Sequence, residues 1–143
     1  MAGDRVAAEG SEVSGLHNGR DVFEYALLKV VPRVERGEMI NAGVVVYCRA
    51  RHFVEARTYL DEGRLRALDA NADVEGVKAA LRAVEGICVG GERAGQAAGD
   101  DAGRRFRWLI APRSTVVQPG PVHTGLTADP SIEAERLLGL LVK

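Results

Sequence analysis

The chain has 143 residues, of which 19 are basic and 20 acidic, giving a formal net charge of -1 at neutral pH. That length predicts a single domain, and the balanced charge excludes the large basic excess with which proteins bind nucleic acid or anionic lipid nonspecifically. The N-terminus has no continuous apolar region and no apolar run is as long as a membrane span, so we expect a cytoplasmic protein with no membrane partner.

Two segments are predicted to lie outside the packed core. Residues 1–21 are rich in glycine and scattered charges, which predicts a disordered leader. Residues 90–104 form a low-complexity stretch of glycine, alanine and charged residues, which predicts a flexible insertion. The chain from 22 to 143 is therefore predicted to be one domain that contains this insertion.

Three strands are predicted in the first half of the chain, over Phe23–Val31, Ile40–Cys48 and His52–Tyr59. Their short connections predict an antiparallel meander. Gly43, inside the second strand, indicates a bulge or the close approach of another backbone.

Helices are predicted from capping residues and from helical spacing of apolar side chains. Asp61, Asp73 and Asp129 each precede such a run, and each is expected to cap the helix that follows. A further helical turn is predicted over residues 105–110, with Trp108 in the core.

A fourth strand is predicted at Thr115–Gln118, paired with the first strand and stopped by Pro119-Gly120-Pro121. The predicted fold is therefore α+β, with an antiparallel sheet of about four strands and helices packed largely on one face. Cys48 and Cys88 are predicted to be buried, reduced thiols. Apolar residues on both faces of the first two strands are consistent with a homodimer.

The densest group of charged side chains lies between the first two strands, at Arg33, Glu35, Arg36 and Glu38, followed by Asn41. Carboxylates three residues apart beside guanidinium groups are suited to hold a metal, a phosphate or a proton-transfer pair. A solvated hairpin connection has the same composition, and turn chemistry explains most such clusters. Asn41 enters an apolar strand, so its amide is predicted to brace the turn or a ligand.

A second candidate site flanks the fourth strand. Arg113, with the hydroxyls of Ser114 and Thr115 and with His123, is suited to bind an anion if the last helix points its N-terminus there. His123 has no recognisable partner that would make it a general base, and a lone histidine in a loop is more often a surface side chain.

Neither a metal site nor a cofactor site is predicted. Residues 69–75 resemble the start of a calcium loop, but Val74 replaces the required glycine and Ala80 replaces the final glutamate. The three histidines lie far apart, and no phosphate-binding or metalloprotease motif is present.

The chain resembles a bacterial family of domains of unknown function, the 3037 family. The resemblance spans roughly residues 22–142 and includes Phe23-x-Tyr25-Ala-Leu and Val31-Pro32. It is most specific in the segment Glu35-Arg36-Gly37-Glu38-x-x-Asn41-x-Gly43-Val44-Val45. Thr115, Thr127-x-Asp129-Pro130 and the leucine-rich last helix are similar to the C-terminal end of that family. The resemblance implies a compact bacterial domain without a known reaction. Its members look to be encoded beside a HipA-like kinase, which implies such a kinase as a partner by association.

Two functions are predicted. The first is a noncatalytic module that binds a protein partner through the turn from Glu35 to Asn41 and the neighbouring edge, because no catalytic set is recognisable. The alternative is a small enzyme or ligand sensor for a phosphorylated or carboxylated molecule, with Arg36, Arg113 and His123 holding the anion. In that alternative Glu38 acts as a base or a metal ligand, and the two loops must converge. Nucleic acid is not an expected partner, since no basic face emerges.

Overall fold

The computed structural model describes residues 19–90, 101–113 and 115–143. Within them the elements are β1 (Asp21–Val30), β2 (Ile40–Cys48), β3 (Phe53–Thr58), α1 (Glu62–Leu68), α2 (Val74–Val89), α3 (Ala102–Leu109), β4 (Val117–Thr127) and α4 (Pro130–Leu141). A short 3-10 turn, Arg49–Arg51, connects β2 to β3.

The four strands form one antiparallel sheet in the order β3-β2-β1-β4. The predicted meander is confirmed, and so is the pairing of the C-terminal strand with the first. The first two connections are short enough to keep neighbours in sequence adjacent in the sheet. β4 returns from the far end of the chain to the free edge of β1.

A bulge interrupts the pairing of β1 with β2 close to the polar turn. Leu28 faces Gly43, whereas the next residue of β1, Lys29, faces Asn41, so β2 carries one extra residue at Ala42. A Cβ built on Gly43 would lie 2.9 Å from the carbonyl oxygen of Arg57. Both expectations for Gly43 are confirmed: it lies beside a bulge, and another backbone approaches it closely.

Helices cover both faces of the sheet, but most of them, namely α1, α2 and α3, pack on one face. On the first face α2 and α3 pack Cys88, Phe106 and Leu109 against Ala26, Leu28 and Val45, and Leu65 of α1 joins Val77 and Val30. On the opposite face α4 packs Ala134, Leu137 and Leu138 against Phe23, Val44 and Val46. β2 lies between these two layers, which explains its almost uninterrupted apolar sequence.

The end predicted for the fourth strand is wrong. β4 continues through Pro119 and Pro121 to Thr127, and Pro119 faces Leu28 of β1. A proline is tolerated in an edge strand because its missing N–H can face away from the neighbouring strand. The register of β1 and β4 also shifts between Ala26 and Leu28, opposite these prolines.

Three smaller predictions also need correction. Trp108 is exposed on α3, whose inward side chains are Phe106 and Leu109. The insertion predicted over residues 90–104 is too long, because Asp101 caps α3 through the backbone N–H of Arg104; residues 91–100 lie outside the described residues. β1 begins at Asp21, one residue before the predicted domain boundary. Residues 1–18 of the predicted leader lie outside the described residues.

Candidate functional site

The charged side chains of the polar turn pair with one another. Arg33 binds Glu35 with N···O distances of 2.8 and 2.9 Å. Arg36 binds both carboxylate oxygens of Glu38, at 2.7 and 3.2 Å. Gly37 closes the turn with a positive φ of 70° and donates its N–H to the carbonyl oxygens of Arg33 and Val34. Each charge in this turn is therefore compensated by a neighbour two residues away.

These contacts set the ionisation of the turn. The hydrogen bond with Arg36 lowers the pKa of Glu38, and the same bond raises the pKa of Arg36. A backbone hydrogen bond and the bond with Arg33 lower the pKa of Glu35. An effective general base needs a pKa close to the working pH, and these shifts move both carboxylates away from neutrality. The turn thus pairs each of its two carboxylates with an arginine at the exposed surface.

Asn41 connects the start of β2 to two other parts of the molecule. Its Oδ1 accepts a hydrogen bond of 3.0 Å from Lys29 Nζ on β1. Its Nδ2 donates a hydrogen bond of 3.0 Å to the carbonyl oxygen of Leu141, at the end of α4. The side chain thereby satisfies one of the carbonyl groups that a helix leaves unpaired at its C-terminus.

Arg113 and Thr115 lie in the connection between α3 and β4. Arg113 Nε donates to the carbonyl oxygen of Ala111 at 3.2 Å, Nη2 donates to that of Trp108, and the guanidinium carbon lies 5.5 Å from the Trp108 ring centroid. Thr115 Oγ1 donates to the carbonyl oxygen of Val117 at 2.7 Å. Ser114 lies outside the described residues.

His123 is a strand residue and not the loop residue that the sequence predicted. It faces Tyr25 across the β1–β4 pair, and the two ring centroids are 5.2 Å apart. Val117, where β4 begins after Thr115, is six residues earlier, which corresponds to about 20 Å of strand at about 3.3 Å per residue. His123 is therefore not brought together with Arg113 and Thr115.

The other candidate residues share one end of the sheet, which we call the loop end. β1 ends there and β2 and β4 begin there, and the N–H of Val31 donates to the carbonyl oxygen of Val116 at 2.7 Å. The polar turn follows Val31, and Arg113 precedes Val116 by three residues. Arg36 and Arg113 consequently lie at the same end of the sheet, in two different connections.

Four large apolar side chains on elements that meet at the loop end are exposed, and the sequence did not predict them. Met39, Tyr59, Leu140 and Leu141 have 47%, 43%, 66% and 39% of their surface exposed, and we call them the loop-end patch. Asn41 ties β2 to Leu141, the N–H of Tyr59 donates to Ala42, and Lys143 Nζ lies 5.5 Å from the Tyr59 ring centroid. One signal was available: residues 137, 138, 140 and 141 are all leucine, and a helix cannot turn all four towards one sheet.

A groove opens on the other side of the loop end, between α2 and the start of β4. Its volume is about 560 Å³, and Arg113 and Thr115 are among its lining residues. Its apolar wall includes Leu28, Val77, Val84, Ile87, Leu109 and Val117. This volume falls within the range of small-ligand pockets.

The part of the chain that the structure describes contains no group of three or more His, Cys, Asp or Glu side chains placed to hold a metal ion. Among the same residues, no helix is both long and apolar enough to cross a membrane.

The chain belongs to the family described as "Protein of unknown function (DUF3037)", whose model matches residues 25–142. The match covers all four strands except the first four residues of β1, and it includes the polar turn and α4. This confirms the family that the sequence motifs suggested. No curated protein and no solved structure matches the chain.

Proposed function

We propose that this protein is a noncatalytic interaction module that binds a protein partner through the loop-end patch, with the polar turn at its rim. The observation that carries the proposal is the exposure of four large apolar side chains beside self-paired charges. Protein interfaces combine an apolar centre with a polar rim, and exposed apolar patches rimmed by polar residues mark interaction sites.

The state of the charged residues supports binding over catalysis. A backbone hydrogen bond and the bond with Arg33 lower the pKa of Glu35, and the hydrogen bond with Arg36 lowers the pKa of Glu38, so neither is poised to exchange a proton near neutral pH. Paired charges at a rim act chiefly on specificity and on the rate of association. The polar turn is thus suited to select a partner that the patch then holds.

A HipA-like kinase is the partner that we propose to test first, because the resemblance to the 3037 family implies such a kinase by association. The purified chain and a HipA-like kinase encoded in the same genome would be mixed and their affinity measured by calorimetry. Leu140→Gln should weaken binding by at least about tenfold, because Leu140 is the most exposed apolar side chain of the patch and truncating a large apolar contact residue of an interface can cost more than about 1 kcal/mol. Ile132→Gln is the matched control, since Ile132 lies on the same helix at 67% exposure but outside the patch.

The double variant Arg36→Ala/Glu38→Ala tests the rim separately. It removes a compensated pair whose side chains are 52% and 42% exposed, so the fold should be retained. We expect a slower association and a smaller loss of affinity than with Leu140→Gln. Unchanged binding in Leu140→Gln and in the double variant would contradict the proposed surface.

The alternative, an enzyme or sensor for a phosphorylated or carboxylated molecule, stays a prediction. His123 would have to act apart from Arg113, since about 20 Å of strand separates it from the start of β4. Titration with inorganic phosphate at low and high ionic strength tests this alternative directly, because a specific anion site binds saturably at both.

A further inference from the structure

The groove between α2 and β4 is a second surface that the proposed function does not use. Small residues of α2, namely Gly76, Ala80 and Ala83, line it and keep it open. The lining part of α2, from Gly76 to Ile87, is about 16 Å long at about 1.5 Å per residue. That is the length of about five residues of extended peptide.

The two connections that border the groove carry opposite charges. The α1–α2 connection contributes Asp69 and Asp73, and the α3–β4 connection contributes Arg113. Asp69 accepts the N–H of Asn71 and Asp73 accepts the N–H of Gly76, but among the described residues neither aspartate has a basic partner within ion-pair distance. Arg113 likewise has only carbonyl and aromatic partners there.

We propose that this groove binds a short extended peptide with an apolar body, an ammonium group paired with Asp69 or Asp73, and a carboxylate paired with Arg113. The apolar wall removes the peptide side chains from water. The guanidinium group is already fixed by two carbonyl groups and by Trp108, so binding a carboxylate costs it little further conformational entropy.

Charge complementarity selects this occupant over others. A neutral lipid or hydrocarbon would fill the apolar wall but would offer no opposite charge to Asp69, Asp73 or Arg113. A simple fatty acid would pair with Arg113 but carries no ammonium group for Asp69 or Asp73. A short free peptide carries both an ammonium group and a carboxylate, so it meets both signs of charge.

The test uses the peptide Lys-Val-Leu-Val with a free carboxylate and its C-terminal amide, titrated into the intact protein by calorimetry. Wild type should bind the free acid saturably. Ala83→Leu fills the groove and should weaken binding by about tenfold, or about 1.4 kcal/mol. Ala79→Leu, on an exposed position of α2 that does not line the groove, should leave the affinity within about twofold.

The charge assignment is tested by a double-mutant cycle. Amidation of the peptide should weaken binding to wild type by about fivefold. It should not weaken binding to Arg113→Gln, because that variant has no guanidinium group with which the carboxylate could pair. Circular dichroism and urea unfolding verify that Arg113→Gln is folded. Absence of saturable binding to wild type, equal effects of Ala79→Leu and Ala83→Leu, or indifference to amidation would overturn the proposal. Leu140→Gln should bind the peptide normally, so failure of this site is distinct from failure of the loop-end patch.

Discussion

Asn41 shows how one polar residue can hold three elements of this fold together. Its amide oxygen accepts from Lys29 on β1, and its amide nitrogen donates to the end of α4. An amide in an apolar strand signals that such partners must exist, because an unsatisfied buried amide is costly. The sequence could predict this need but not the partner, since Leu141 lies one hundred residues away and is placed by the tertiary fold.

Replacing Asn41 should destabilise the protein even though the side chain is small. Asn41→Ala removes both hydrogen bonds and leaves Lys29 Nζ without this partner, for a loss of about 1–3 kcal/mol of unfolding free energy. Urea denaturation measures it. Asn71→Ala is the control, since the hydrogen bond of Asn71 uses its backbone N–H, and it should change stability by less than about 0.5 kcal/mol. Equal effects of the two substitutions would contradict the role assigned to Asn41.

Two glycines should respond to alanine in opposite directions. Gly43→Ala places a methyl group 2.9 Å from the carbonyl oxygen of Arg57 and 3.1 Å from Leu28 Cδ1, which should cost about 1–3 kcal/mol. Gly139 lies in α4, and no atom comes within 4 Å of the position that a Cβ would take there, so Gly139→Ala should stabilise by about 0.5–1 kcal/mol. Thermal unfolding of both variants distinguishes these outcomes, and destabilisation by Gly139→Ala would show that this part of α4 is packed differently.

The Cys88 thiol should make stability sensitive to alkaline pH. Burial raises its pKa from 9.0 to about 12, so its contribution to stability is complete below pH 9 and is lost as the pH rises towards 12. In that range, ionisation of the Cys88 thiol lowers the free energy of the unfolded state by up to about 1.4 kcal/mol per pH unit. The stability advantage of wild type over Cys88→Ala should therefore shrink between about pH 9 and pH 10.5. A constant difference measured by urea unfolding would mean that the thiol is accessible.

At the scale of elements, local signals predicted most of the fold. Asp61, Asp73 and Asp129 each accept the N–H groups that a helix leaves unpaired at its start, and such caps are read from neighbouring residues alone. The bounds of β2 were predicted without error because both its faces are covered and its sequence is continuously apolar. β4 was predicted too short because two prolines stop a central strand but not an edge strand, and edge position is a property of the whole sheet.

The prolines of β4 should protect the edge of the sheet that β4 forms. Pro119 and Pro121 remove N–H groups that another chain would otherwise use for pairing. The variant Pro119→Thr/Pro121→Thr should therefore self-associate more strongly than wild type in size-exclusion chromatography with light scattering. Pro112→Thr, an exposed position outside the strands, is the control. An unchanged molar mass in the double variant would show that the edge is protected by other means.

At the scale of the whole molecule, the sheet is covered on both faces but its loop end stays open. The polar turn, the loop-end patch and the groove all lie at this end or border it. The sequence located the polar turn because charge is visible residue by residue. It did not locate the patch or the groove, because both are formed by side chains from separate elements and connections that only the fold assembles.

Affinity capture from the organism that encodes this chain, quantified by mass spectrometry, tests whether the loop-end patch binds a protein partner. Wild type, Leu140→Gln and Ile132→Gln would be compared at equal amounts of folded protein. We expect one protein to be recovered in near-stoichiometric amount with wild type and Ile132→Gln and to be lost with Leu140→Gln. Recovery of the chain alone, or equal recovery of that protein with all three, would contradict a partner bound at the loop-end patch.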